Sequence, residues 1–118
     1  MKYYHGETVT GVINTRTYGD GIQSTETEKK HVLGAYINVD EYQDNDVEFY
    51  IQRENIVRIP DYFVDTYDDT GGTSTLYSTN KLIYIDLGFD LKMGETLKAA
   101  INCGATATDL RVVYVYEV

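Results

Sequence analysis

Ile83-Tyr84-Ile85-Asp86-Leu87-Gly88-Phe89-Asp90-Leu91 decides the fold class, because its apolar residues return at every second position. Ile83, Ile85, Leu87, Phe89 and Leu91 fall on one face, and Tyr84, Asp86 and Asp90 on the other. A helix brings a side chain back to the same face after about 3.6 residues and a strand after two, so this stretch reads as a strand with one buried face. The period recurs on both sides of it. In residues 29–39, Leu33, Ala35, Ile37 and Val39 alternate with Gly34, Tyr36 and Asn38; in residues 46–52, Val47, Phe49 and Ile51 alternate with Glu48, Tyr50 and Gln52.

Residues 95–103 put Leu97, Ala99, Ile101 and Cys103 in alternation, while Leu97, Ala100 and Ile101 also fit a short helical face. A hairpin-like turn at Lys92-Met93-Gly94-Glu95 and a closing Gly104 favour the strand. Residues 109–118 set Leu110, Val112, Tyr114, Tyr116 and Val118 against Arg111, Val113, Val115 and Glu117. Apolar side chains on both faces describe a strand central in its sheet or covered on its second face by a partner. Weaker strands are expected in residues 7–15, around Val9, Val12 and Ile13, in residues 55–59 and in residues 62–64. Pro60 cannot donate to a ladder and marks a strand end or an edge. Residues 14–30 and 65–80 read as loops, the second centred on Asp68-Asp69-Thr70-Gly71-Gly72, and the Thr25-x-x-Glu28 box permits one helical turn. The sum is seven or eight strands at spacings of roughly 8–12 residues, the signature of an all-β sandwich or barrel forming one domain over residues 1–118.

The 118 residues suit one core. A hydrophobic content of 42% against 25% charged places the chain among globular domains rather than disordered ones. No run approaches the ~18 apolar residues of a spanning helix, so no membrane partner is expected. Nineteen acidic against ten basic side chains leave a net charge of −9, which opposes direct nucleic-acid binding. Met1-Lys2-Tyr3-Tyr4-His5-Gly6-Glu7 lacks the apolar core of a signal peptide, and the mature chain is expected to start at or near Met1. A lone cysteine excludes an internal disulfide and a Cys-based zinc site, which points to synthesis in a reducing cytoplasm. Twelve tyrosines, with three phenylalanines and no tryptophan, suit either half-exposed strand faces or contact surfaces.

Candidates for chemistry are sparse. A nucleophilic centre needs a base, and the histidines are His5, near the terminus, and His31, at a strand start; a Cys103–His31 pair has no support in the pattern. Asp40, Glu41, Asp44, Asp46 and Glu48 form one acidic cluster and Asp61, Asp65, Asp68 and Asp69 another. Neither completes a calcium-loop pattern, and nothing fixes the separation a carboxylate pair would need for glycoside hydrolysis. Gly71-Gly72 and Gly19-Asp20-Gly21 lack phosphate-loop spacing. Lys29, Lys30 and His31 read as a solvated strand start. No catalytic, metal or cofactor-binding residue is expected, and no cofactor.

Four consecutive pieces of residues 83–118 carry a resemblance. They are Leu91-Lys92-Met93-Gly94-Glu95-Thr96-Leu97, then Ala99-Ala100-Ile101-Asn102-Cys103-Gly104, then Ala105-Thr106-Ala107-Thr108-Asp109, then Val113-Tyr114-Val115-Tyr116-Glu117-Val118. This succession resembles the ending of small phage and virus structural proteins. The resemblance implies a jelly-roll-like, antiparallel β-sandwich and a non-enzymatic virion protein, a capsid decoration, vertex or head–tail accessory, made in the host cytoplasm. It would dock on other virion proteins, the major capsid protein foremost, as a homo-oligomer, a trimer or pentamer. Contacts would fall on Tyr114, Tyr116 and the loop bearing Asp68 and Asp69. A carbohydrate-binding or adhesion module is the alternative, with tyrosines stacked on sugar rings. A small β-barrel enzyme is a third reading.

Overall fold

The computed structural model describes residues 1–39, 45–60 and 83–118. These residues form nine strands: β1 Lys2–Val9, β2 Arg16–Tyr18, β3 Ile22–Gln23, β4 His31–Val39, β5 Asp46–Ile51, β6 Glu54–Pro60, β7 Ile83–Asp90, β8 Thr96–Asn102 and β9 Leu110–Glu117. All pairings are antiparallel. Sheet 1 runs β1-β9-β4-β7; sheet 2 runs β2-β8-β5-β6, with β3 continuing β2 along β8. With β2 and β3 taken as two halves of one strand, the chain deals its strands to the two sheets in jelly-roll order.

The alternating sets meet between the sheets. In sheet 1, Val9, Leu110 and Val39 stand side by side, as do Val112 and Ile37, and Tyr114 and Ala35. In sheet 2, Val47 stands beside Ile101, Phe49 beside Ala99, and Ile51 beside Leu97. Phe49 meets Tyr114 edge-on, with ring centroids 6.5 Å apart. β9 lies between β1 and β4, the central of the two placements expected for it.

Several local expectations change. Val32, not Leu33, enters the core, because Leu33 is an extra residue between Val32, paired with Tyr116, and Gly34, paired with Val115. Such a bulge reverses the alternation on one side of itself. Residues 14–30 are not all loop, since they hold β2 and β3. Val12 and Ile13 are exposed beyond the end of β1, which instead reaches back to Lys2 and includes His5. The Lys92–Glu95 turn closes with a 2.9 Å bond from Glu95 N–H to the Lys92 carbonyl, and Gly94 has φ 87°. It is not a hairpin, however: β7 pairs with β4 and β8 with β5, so the turn carries the chain from one sheet to the other. Thr25 and Glu28 exchange backbone and side-chain bonds around a turn without starting a helix. The strand expected at 62–64 and the loop at 65–80 lie outside the described residues.

The break between β2 and β3 has a definite cause. Tyr18 pairs with Ala100 and Ile22 with Leu97, so Gly19-Asp20-Gly21 contains one residue more than β8 opposes. Gly19 N–H still reaches the Ala99 carbonyl at 2.8 Å, but the Ala99 N–H turns inward to the Tyr114 hydroxyl at 2.9 Å. Tyr114 in turn donates to Glu7 Oε2 at 2.7 Å. The Glu7 carboxylate also accepts from Asp20 N–H at 2.7 Å and Gly21 N–H at 2.9 Å. Gly21, at φ 74°, lies so close to the Leu97 carbonyl that a Cβ there would overlap it. One phenol thereby links β9, β8, β1 and the kink. Burial first, and then the Glu7 carboxylate, push its pKa far above the usual tyrosine value.

Tyr114→Phe keeps the ring and removes this link, leaving the Ala99 N–H without its partner. The variant should fold and lose about 1–3 kcal/mol in urea denaturation, the usual cost of a buried polar group left unsatisfied. An unchanged midpoint at unchanged slope would remove the hydroxyl from the account of how the sheets are joined.

Candidate docking surface

The outward residues of sheet 1 form two rows across its four strands. One row is Gly6, Val113, Tyr36 and Tyr84; the next is Tyr4, Val115, Gly34 and Asp86. Tyr36 and Tyr84 sit with ring centroids 4.9 Å apart, tilted by 56°. Tyr84 lies across Gly34, where a Cβ would overlap its ring and hydroxyl, so the glycine provides the trough that the phenol occupies. Burial, the Asp86 charge and the neighbouring Tyr36 and Tyr4 raise the Tyr84 pKa, in that order. Val115 is only 4% exposed beneath these side chains, whereas Tyr4 is 62% and Tyr84 43% exposed. The result is an aliphatic floor under exposed phenol rings.

The outer face of sheet 2 is built differently. Glu48 points outward, yet it is fully buried. Arg16 reaches it from β2 with Nε 2.7 Å from Oε1, Arg58 from β6 with Nε 2.9 Å from Oε2, and the Tyr50 hydroxyl donates to Oε1 at 3.0 Å. Burial works to raise the Glu48 pKa, but the three donors outweigh it and the net shift is downward. The carboxylate thus fastens a three-residue strand and an edge strand to β5. Beside it Tyr18 meets Tyr50 edge-on at 5.2 Å, and Lys98 Nζ lies 4.8 Å from the centre of the Tyr18 ring.

A cleft of about 810 Å³ opens at one end of the sandwich, lined by Lys29, His31, Asp90, Met93 and Glu117 among others. His31 Nδ1 is 2.5 Å from Asp90 Oδ1. Lys30 is not the solvated residue expected: it is buried, with Nζ 2.7 Å from the Gln23 carbonyl, 3.4 Å from Glu28 and 5.5 Å from the centre of the Tyr116 ring.

Tyr114 and Tyr116, expected as contacts, lie on the core side of β9 and not on the outer face of sheet 1. Tyr114 is 0% exposed and cannot meet a partner unless the sandwich opens. Tyr116 faces the same side, half-buried and stacked on Tyr3 at 5.6 Å. Asp68 and Asp69 lie outside the described residues, as do Asp40, Glu41, Asp44, Asp61 and Asp65. Cys103 is buried, its Sγ 3.9 Å from the Thr108 carbonyl near the start of β9, whereas His31 pairs with Glu117 at the end of that strand. Seven strand steps of about 3.3 Å keep the two roughly 23 Å apart, so they form no catalytic pair. Among the described residues no cluster of three or more His, Cys, Asp or Glu side chains could hold a metal ion. Tyr36 and Tyr84 were legible as outward residues of their own strands; their meeting over Gly34 depends on the register of β4 and β7, which no single segment encodes.

Compared with protein-family models, curated proteins and solved structures, the chain matches none.

Glu48→Gln tests the clamp. Because the folded pKa lies below the ordinary value of 4.5, the charge stabilises the fold above about pH 4.5, and that contribution is lost as pH falls through the folded value. The variant should be about 1–3 kcal/mol less stable at neutral pH, as for weakened hydrogen bonds to a charged group. The gap between parent and variant should narrow as pH falls below 4.5 in a pH series of denaturation curves. A gap that stays constant or widens would assign the stabilisation elsewhere.

Proposed function

We propose that this chain is a non-enzymatic structural protein of a virus particle, a capsid decoration, vertex or head–tail accessory, that docks on other virion proteins through the outer face of sheet 1. The observation that carries the docking part is the pairing of the exposed Tyr84 with the half-buried Tyr36 over Gly34, Val113 and Val115, with the exposed Tyr4 at the rim. Tyrosine is enriched at protein interfaces because it brings large apolar area with few rotatable bonds and a hydroxyl that can stay wet. Jelly rolls serve as capsid and lectin domains alike, so the fold is compatible with the virion reading and does not select it. The virion part rests on the C-terminal resemblance, whose turn and closing strand here become the sheet-crossing turn and β9.

Asp86, next to Tyr84 on the same face, favours one other reading. A carboxylate beside an exposed ring can hydrogen-bond sugar hydroxyls while the ring covers a sugar face, which would make this surface a carbohydrate-binding site.

The test co-expresses the chain with the capsid-type proteins encoded beside its gene and measures binding for the parent and for Tyr36→Ser with Tyr84→Ser. The parent should bind, and the double variant, folded, should bind at least about 30-fold more weakly, the ~2 kcal/mol expected of a hot spot. Equal binding by both would move the contact off this face. A glycan-array signal lost in the double variant, with no binding to any capsid protein, would replace the virion reading with the carbohydrate one.

A further inference from the structure

The edges of the two sheets are not alike. An open edge presents unpaired N–H and C=O groups to any other strand, and proteins blunt such edges with short strands, prolines, bulges or charges. β2 and β3 have three and two residues. β6 ends in Pro60, and its register against β5 shifts between Phe49 and Tyr50. β7 carries Gly88 at φ 59° opposite the β4 bulge. β1 has no proline, bulge or shortening, and its Lys2 and Glu7 stand near its two ends. It runs eight residues in unbroken register against β9, from Lys2 opposite Glu117 to Val9 opposite Leu110, and among the described residues no strand lies on its other side. Residues 1–6 are all exposed, and on a chain of net charge −9 they include no carboxylate.

We propose that β1 is a self-pairing edge: two copies of the chain join antiparallel along residues 2–6, about a two-fold axis at Tyr4, fusing two four-stranded sheets into one. The strand complements its own reverse in this register. Tyr4 lies across from Tyr4 of the second copy on the outer face. Tyr3 lies across from His5 on the inner face, and Lys2 across from Gly6. Aromatic residues thus oppose aromatic residues, and no two like charges are opposed. A register centred on His5 instead would set Tyr3 across from Glu7, whose carboxylate already serves Asp20, Gly21 and Tyr114. A two-fold joint also closes on itself, so a dimer forms rather than a growing fibre. The pairing stands without the virion reading, and it makes the tyrosine faces of two copies continuous, with Tyr4 at the seam.

Light scattering and sedimentation on the purified chain should give twice the monomer mass of 13.4 kDa. Tyr4→Lys places two ammonium groups at the axis and should return the mass to that of the monomer, with the β circular dichroism retained and a melting temperature that no longer depends on protein concentration. Tyr4→Cys should form an intermolecular disulfide under mild oxidation, since residues opposed in an antiparallel ladder lie ~4.5–5.5 Å apart at Cα, within disulfide range. Tyr36→Cys and the parent, whose Cys103 is buried, should not. A monomeric parent, a trimer or a pentamer would overturn the proposal, and so would a dimer that survives Tyr4→Lys or cross-links through Tyr36→Cys. The double variant Tyr36→Ser with Tyr84→Ser should stay dimeric while losing capsid binding, which separates failure of the edge from failure of the docking face; loss of its dimer would overturn the edge.

Discussion

The hydroxyl of Tyr114 is the point at which the two sheets become one structure. A sandwich held by apolar contact alone can slide, because dispersion and hydrophobic burial have little directional preference. Here a phenol on β9 accepts from the Ala99 N–H of the opposite sheet and donates its own O–H to Glu7 on the neighbouring strand, and the same carboxylate caps two backbone N–H groups of the Gly19-Asp20-Gly21 kink. Each group would be costly to bury unpaired, and each is paired by the next. The network fixes the register of β1 on β9 relative to β8, and with it which residues of β1 and β9 face outward. Tyr4, Val113 and Val115 reach the outer surface because Glu7 and Tyr114 are held inside.

Strand positions and their buried faces were largely legible in the sequence, because the period of two survives in Val47–Phe49–Ile51, in Leu97–Ala99–Ile101 and in Leu110–Val112–Tyr114, all of which line the core. Three kinds of feature were hidden, each for a physical reason. The Leu33 bulge is a property of how β4 meets β7 and β9, so the segment by itself gives no sign that Val32 replaces Leu33. The buried Glu48 looks like any outward strand carboxylate, since what covers it comes from Arg16, 32 residues before it in the chain, and from Arg58 across the next strand. Tyr114 reads as an aromatic on an apolar strand. That its hydroxyl has inward work depends on a backbone N–H freed by a kink some 80 residues away in sequence.

The same reason explains why the two tyrosines of β9 expected as contacts face inward. Apolar side chains on both faces of a strand imply that both faces are covered, but they do not say by what. Tyr114 and Tyr116 belong to the core-facing set, and the second face, Val113 and Val115, is roofed by tyrosines delivered by β1, β4 and β7. The tyrosines that cover this second face lie one residue away along β9 and one or two strands across the sheet.

The two outer faces also differ in what it would cost to cover them. On sheet 2, Arg16 and Arg58 remain partly in water while they hold Glu48, and a partner laid over them would strip that water from charged groups already committed to one carboxylate. Sheet 1 offers phenols and valines at its centre. A phenol loses little on desolvation if its hydroxyl finds any acceptor at the rim, and its ring gains the full benefit of burial. The sheet that can be buried cheaply is also the one whose β1 edge carries no proline, bulge or shortened strand. Face and edge share Tyr4, so a copy that joins at the edge extends the very surface that a partner would cover, and the contact area available to that partner doubles without any new side chain.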